Sequence, residues 1–146
     1  MSIASLPEGK VFSLREVDTD PRRAVLEHNG GDYSIQHFTI GKKRSALGNH
    51  YHKGKREIFT ILMGGGYVVT QRVDEDGRPI GAILKTSLKE GNVIVVDPFT
   101  THTFVLEQGT EMICFSSAPF DPNNMDHNEH ILVDKVSLEI HMSEKA

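Results

Sequence analysis

Turn residues recur so often along this chain that no apolar run is long enough for a buried helix. Gly64-Gly65-Gly66, Asp74-Glu75-Asp76-Gly77, Glu90-Gly91-Asn92 and Gln108-Gly109-Thr110 each interrupt a short apolar or alternating segment. Glycine at such places tolerates positive φ and close backbone approach, and the Asp-Gly turn is a hairpin signal. The segments between the turns predict strands at 11–15, 33–40, 46–52, 57–63, 67–73, 80–86, 92–96, 102–107, 111–116 and 131–140. The last is the closest decision, because helical spacing can be forced onto it, but Val136, Leu138, Ile140 and Met142 alternate. An all-β architecture follows. The segment 118–130, with Pro119, Pro122, Asn123 and Asn124, reads as a loop over one end of the sheet or a lead into the last strand.

One strand carries chemistry. His50 and His52 lie two apart, so on an extended strand both rings face one side. Lys53-Gly54-Lys55-Arg56 then supplies a turn, and Glu57 stands at the mouth of the next strand, seven residues before Gly64. Two imidazoles and a carboxylate suit a divalent transition metal: Zn, Fe, Mn or Ni. A fourth ligand is available at His102. It follows the apolar run Val93-Ile94-Val95-Val96, which suits a buried strand, and the corner at Pro98, where a side chain can aim into the mouth of a barrel. His37, on an alternating strand, is a further candidate for the lumen. His28, His127, His130 and His141 fall in turn-rich or terminal segments and read as solvated. Tyr51 has the opposite parity to the paired histidines and should pack away from them.

Composition excludes several classes. The chain has 146 residues, the length of one domain, and its 38% hydrophobic and 25% charged content carries no disorder signature. A net charge of −4 argues against nucleic-acid binding driven by phosphate contacts. Cys114 is the single cysteine, so no intramolecular disulfide forms; inside the apolar run 112–115 it reads as a small buried hydrophobe. Residues 1–15 lack the apolar core of a signal peptide, and no run spans a membrane. A reducing cytoplasm is the expected compartment. Charge is uneven, however. Lys42, Lys43, Arg44, Lys53, Lys55 and Arg56 bracket the paired histidines with no acid between them, a pattern that either draws anions to a pocket mouth or is simply solvated.

These residues resemble the cupins, whose two motifs run roughly G-x5-H-x-H-x3-4-E-x6-G and G-x5-P-x-G-x2-H-x3-N. The first matches at His50, His52, Glu57 and Gly64, with Arg44 at the leading Gly. The second matches at Gly91 and His102, with Asp97 at the Pro, Phe99 at the inner Gly and Leu106 at the Asn. The resemblance implies a small antiparallel jelly-roll barrel spanning 1–146 as a single domain, its core at about 33–116, with N- and C-terminal strands added. It also implies a site inside the barrel and a homodimer. The string G-N-H-Y-H-K-x3-E further resembles cupins of sugar-nucleotide biosynthesis: ketoisomerases of nucleotide-linked keto-deoxysugars and the cupin domain of capsular-polysaccharide enzymes. The expected function is therefore isomerisation or epimerisation of a small anionic carbonyl compound, such as a nucleotide-linked sugar. Either a metal held by His50, His52, Glu57 and His102 serves it, or His50, His52 and Glu57 move protons without one. A non-haem iron dioxygenase and a non-catalytic ligand-binding module are the competing expectations.

Overall fold

The computed structural model describes residues 9–118, 123 and 125–141. It contains eleven strands and, among the described residues, no helix. They are β1 Arg15–Asp20, β2 Arg23–Asn29, β3 Ser34–Ile40, β4 Ser45–Tyr51, β5 Glu57–Met63 and β6 Gly65–Val73. β7 Pro79–Lys89, β8 Val93–Val96, β9 Thr100–Leu106, β10 Glu111–Ser116 and β11 Asn128–Glu129 complete the set. Two antiparallel sheets form, ordered β1-β2-β3-β10-β5-β8 and β11-β4-β9-β6-β7. The architecture is an all-β jelly roll, as the turn spacing and the resemblance implied. Among the described residues, no helix is long and apolar enough to cross a membrane.

The alternation along each strand sorts side chains into two apolar layers. Between the sheets lie Leu47, Phe59, Ile61, Val68, Phe104, Leu106, Met112 and Cys114. Across the outer face of the second sheet lie Ala46, Val69, Val105, Leu132 and Val133. Neighbours such as Ala46 and Leu47, or Val105 and Leu106, therefore serve opposite faces, as period-two geometry requires. The inner layer is sealed by Phe104, 2% exposed, its ring tilted at 50° against Phe59 with ring centroids 4.6 Å apart.

Three expectations about the strands are corrected. The polar stretch 15–29 forms the hairpin β1–β2, which carries little apolar alternation and holds its turn by Asp20 Oδ1 accepting from Arg22 N at 2.7 Å. The strand expected at 11–15 begins only at Arg15, and Val11 is almost fully exposed. Finally, 131–140 is no strand. Asp134 folds it into a turn, its Oδ1 accepting from Val136 N and Ser137 N, and one bridge joins Val133 to Ile140. That turn leaves Val136 in solvent while Leu132 and Val133 pack on the outer face. Met142 and, in the 118–130 loop, residues 119–122 and 124 lie outside the described residues, as do 1–8 of the N-terminal segment read for a signal peptide.

Candidate metal centre

β4 could not present its histidines inward as an unbroken strand. Ala46 faces the outer layer and Leu47 the inner one. Simple alternation would send His50 and His52 outward with Ala46. A bulge reverses this: Gly48 pairs with Thr103 and His50 with His102, leaving Asn49 as the extra residue. Both residues of the kink carry positive φ, 118° at Gly48 and 62° at Asn49. A Cβ on Gly48 would collide with the His102 carbonyl, so the ladder can close only on glycine there. The Gly-Asn dipeptide was the available signal, since glycine inside a strand marks a bulge. Asn49 is buried and spends its side chain on the C-terminal segment, taking hydrogen bonds from Leu132 N and Val133 N and giving one to Val133 O.

The second motif is also explained by backbone shape. Phe99 stands at the inner-Gly position of the family pattern and still adopts φ 61°. Its N–H donates to His52 O at 2.7 Å, and its ring stacks on Tyr51 at 6.4 Å. Tyr51 thus packs away from the site as its parity predicts. The corner delivers His102 into β9, inward beside Phe104. Gly64, the closing residue of the first motif, has φ 83° and lies too close to Thr110 to admit a side chain.

The structure brings His50, His52, Glu57 and His102 together, with one donor atom from each lying within 4.8 Å of the others. The His50 ring centroid is 4.8 Å from that of His52 and 4.7 Å from that of His102. Glu57 Oε1 stands 3.1 Å from His52 Nε2 and 3.3 Å from His102 Nε2. Backbone carbonyls fix the other side of both rings: Asp126 O accepts from His52 Nδ1, and Thr100 O accepts from His102 Nδ1 at 3.1 Å. Nδ1 must therefore carry a proton, and in the neutral form of each ring Nε2 turns a lone pair toward the carboxylate oxygen. Glu57 Oε1 is buried and has no hydrogen-bond partner. Three electron-rich atoms thus face one another with nothing positive between them. A proton on an imidazole or a metal ion resolves that, and such a set suits a divalent ion with its rings already oriented.

Titration follows from the packing. Burial, then the neighbouring His102, His52 and His127, pulls the pKa of His50 down to about 2, so its ring is neutral. Burial raises Glu57, but the imidazoles of His102 and then His52 beside it hold its carboxyl well below the usual range. Cys114, fully buried, stands 3.6 Å from Glu57 Oε2. Burial first, then the carboxylate, pushes its thiol far up. It is the small buried residue expected, but it touches the site.

The other histidines divide. His37 is excluded from the lumen: Gln36 and Phe38 line the cavity, so parity turns His37 outward, where Nε2 meets Glu111 at 3.1 Å. His28 bonds Tyr33 at 2.9 Å and His130 bonds Thr101 at 2.8 Å. His127, read as solvated, is exposed but lines the cavity, its ring 4.4 Å from that of His50. It is carried by a strap that Asp126 clamps over the 53–54 turn, accepting from Lys53 N at 2.7 Å and Gly54 N at 2.8 Å. No periodicity announces this. The cations 42–44 and 53–56 flank opposite ends of β4, and only Lys55 among them lines the cavity. Arg44 pairs with Glu107 at 3.6 Å and Arg56 with Asp97 at 2.7 Å, so the solvated reading holds for them.

The histidine cluster lies in a cavity of about 680 Å³ between the sheets. Such a volume suits a small molecule.

Comparison with solved structures shows the cupin fold. CapF bound to the inhibitor 3-isopropenyl-tropolone superposes with a TM-score of 0.69 at 19% identity, covering 82% of this chain and 34% of that one. The capsular polysaccharide assembling protein CapF from Staphylococcus aureus gives 0.64 at 22% identity, covering 82% and 32%. A cupin-2 domain, Rru_A2000 from Rhodospirillum rubrum, gives 0.51 at 17% identity, covering 75% and 71%. The chain thus spans about a third of the CapF chains. No protein-family model matches it, and no curated protein matches it by sequence.

Proposed function

We propose that the chain is a single metal-binding cupin domain that isomerises or epimerises a small anionic carbonyl compound, such as a nucleotide-linked sugar. The observation that carries the metal is Glu57 Oε1, buried without a hydrogen-bond partner against two oriented Nε2 atoms. His50, His52, Glu57 and His102 hold the ion, and a divalent ion there polarises a substrate oxygen. The four donors do not select among Zn, Fe, Mn and Ni.

The residues divide the work by position. His52, Glu57 and His102 are buried. Asp126 O, Thr100 O and Cys114 hold their far sides, so they orient rather than move. His50 is the more open member, and among the described residues no hydrogen bond reaches its ring nitrogens. Kept neutral by its surroundings, it offers its one free lone pair to the ion, and only in the metal-free version would that lone pair take a proton from the carbon beside a carbonyl. Phe59, Phe104 and Met112 wall the cavity and exclude water from that exchange. Likeness to CapF supports a sugar-related substrate. A cytoplasmic homodimer belongs to the same reading. The buried free thiol needs no oxidising compartment, and Phe115, Ile58 and Val95, paired in register, form an exposed apolar row on the first sheet.

Protein purified without chelator or nickel resin tests the metal: about one ion per chain, lost in the His50→Ala/His52→Ala double variant, is expected. A chain that neither carries nor takes up Zn, Fe, Mn or Ni overturns it. Nucleotide-linked keto sugars in deuterated water then test the chemistry by NMR. Exchange at the carbon next to the carbonyl, independent of oxygen, is expected; oxygen consumption requiring ferrous iron replaces it with the dioxygenase. Ligand-dependent thermal stabilisation without turnover replaces it with the binding module.

A further inference from the structure

A second charged wall faces the same cavity, built by Arg23 of β2 and Lys135 of the C-terminal turn. Arg22 does not line it and is engaged by Asp20, Nη2 to Oδ2 at 2.9 Å. Arg23 is anchored but not satisfied. Its Nη2 lies 2.7 Å from Asp18 Oδ2, which fixes the guanidinium plane, and its side chain is 21% exposed. Its Nε is buried and has no hydrogen-bond partner. A buried charged N–H without an acceptor is costly, and an incoming anion removes that cost.

Lys135 approaches from the other sheet's covering segment. Among the described residues it pairs with no carboxylate. Burial lowers its pKa, and the charges of Arg22 and Arg23 lower it further against Glu129, so cations crowd one place. The acids along this wall are partly committed: Asp18 holds Arg23, and Glu27 Oε1 accepts from Gln36 Nε2 at 3.2 Å. Glu129 also lines the cavity and faces Lys135, so the unpartnered buried donor on this wall is Arg23 Nε.

The geometry points to an anion subsite in which Arg23 and Lys135 take the phosphate or carboxylate of a ligand whose other end meets the histidine cluster. A guanidinium fork matches both oxyanions, and the lysine adds a point charge. This deepens the proposed function and rests on the cavity being its substrate site. It also moves the source of anion recognition from the cations around β4 to residues far from them in sequence.

Inorganic phosphate and malonate, titrated calorimetrically into the chelator-stripped full chain at low ionic strength, test it. Saturable binding of one is expected, tighter phosphate marking a phosphoryl ligand and tighter malonate a carboxylate. Arg23→Gln and Lys135→Gln should each weaken it about tenfold or more, while Lys42→Gln, exposed and outside the cavity, should not. Lys135 is exposed in a turn, so its variant decides even where Arg23→Gln fails to fold. Saturable binding of neither anion overturns the subsite, as does unchanged affinity in Lys135→Gln. The His50→Ala/His52→Ala variant, expected to lose the ion, should keep the anion, and metal uptake and anion binding by the parent chain separate the two proposals. Metal without anion binding removes the subsite alone, and anion binding by a chain that takes up no metal removes the metal alone.

Discussion

Asn49 and Thr103 exchange two hydrogen bonds across the β4–β9 ladder at its bulge. Asn49 N donates to Thr103 Oγ1 at 3.0 Å, and that hydroxyl donates to Asn49 Oδ1 at 2.7 Å. Both residues are buried, and the same Oδ1 also accepts from Leu132 N and Val133 N. One amide therefore holds the left-handed residue, the irregular ladder and the C-terminal segment together. Because the bulge reverses parity, this pair decides whether His50 and His52 face the cavity at all.

Asn49→Ala should accordingly destabilise the protein by about 3 kcal/mol or more. Lost hydrogen bonds at about 1 kcal/mol each and orphaned buried N–H groups at about 1–3 kcal/mol dominate. Alanine also strains at positive φ by about 1–2 kcal/mol. Asn49→Gly relieves only the strain and should fall between the two. Denaturant unfolding checks the order, and a glycine variant no more stable than the alanine one contradicts it.

Glu57→Gln should split metal affinity from stability. The amide keeps the shape but replaces a carboxylate oxygen with a neutral group whose N–H can donate to a facing Nε2. Metal affinity should fall by more than about 100-fold, beyond the 10–100-fold typical of residues behind the ligands. The metal-free protein should be only modestly less stable than its parent, because a buried charge is gone although the fold favours the ionised carboxylate. Competition with a chromophoric chelator and thermal unfolding in chelator read the two halves. Strong loss of metal-free stability would show that the carboxylate holds the fold by ion pairs with protonated histidines.

The parts of this molecule legible in sequence are those with local causes. Turn glycines marked the strand ends from β3 through β10, and the spacing of His50, His52, Glu57 and His102 marked the cluster. Yet the parity argument reached the right face for an incomplete reason, because the bulge at Asn49 intervenes. β1 and β2 were missed because their residues are largely polar and carry no alternation. The 131–140 segment misled because Asp134, through its own side chain, outbid the alternating pattern that followed it. His127, Arg23 and Lys135 reach the cavity through tertiary folding alone, which no spacing encodes.

Cys114 should behave as a silent thiol with a measurable grip on Glu57. Fully buried, with its pKa pushed far up by burial and the carboxylate, it should resist a thiol reagent until the protein unfolds. Cys114→Ala removes the contact to Glu57 Oε2 and should weaken metal binding by about tenfold. Cys114→Ser, which retains a donor, should recover part of that loss. Fast labelling in native buffer, or alanine and serine variants binding metal as tightly as the parent, would refute the assignment.

Acidification should destabilise the metal-free chain from about pH 6.5 downward. The folded-state pKa of His50 is about 2, against about 6.5 for an unperturbed imidazole. Between those values the unfolded chain binds a proton that the folded chain refuses, so stability rises with pH across the window and is complete above it. Glu57, depressed below its unfolded value near 4.3, adds a second loss of the same sign at lower pH. Replacing His50 with Gln removes the first of these and should flatten the profile between about pH 4.5 and 6.5 while leaving the steeper fall below it. Urea midpoints measured in chelator across that range give the slope directly. A parent profile as flat as the variant's would mean that the ring at position 50 accepts a proton inside the folded barrel.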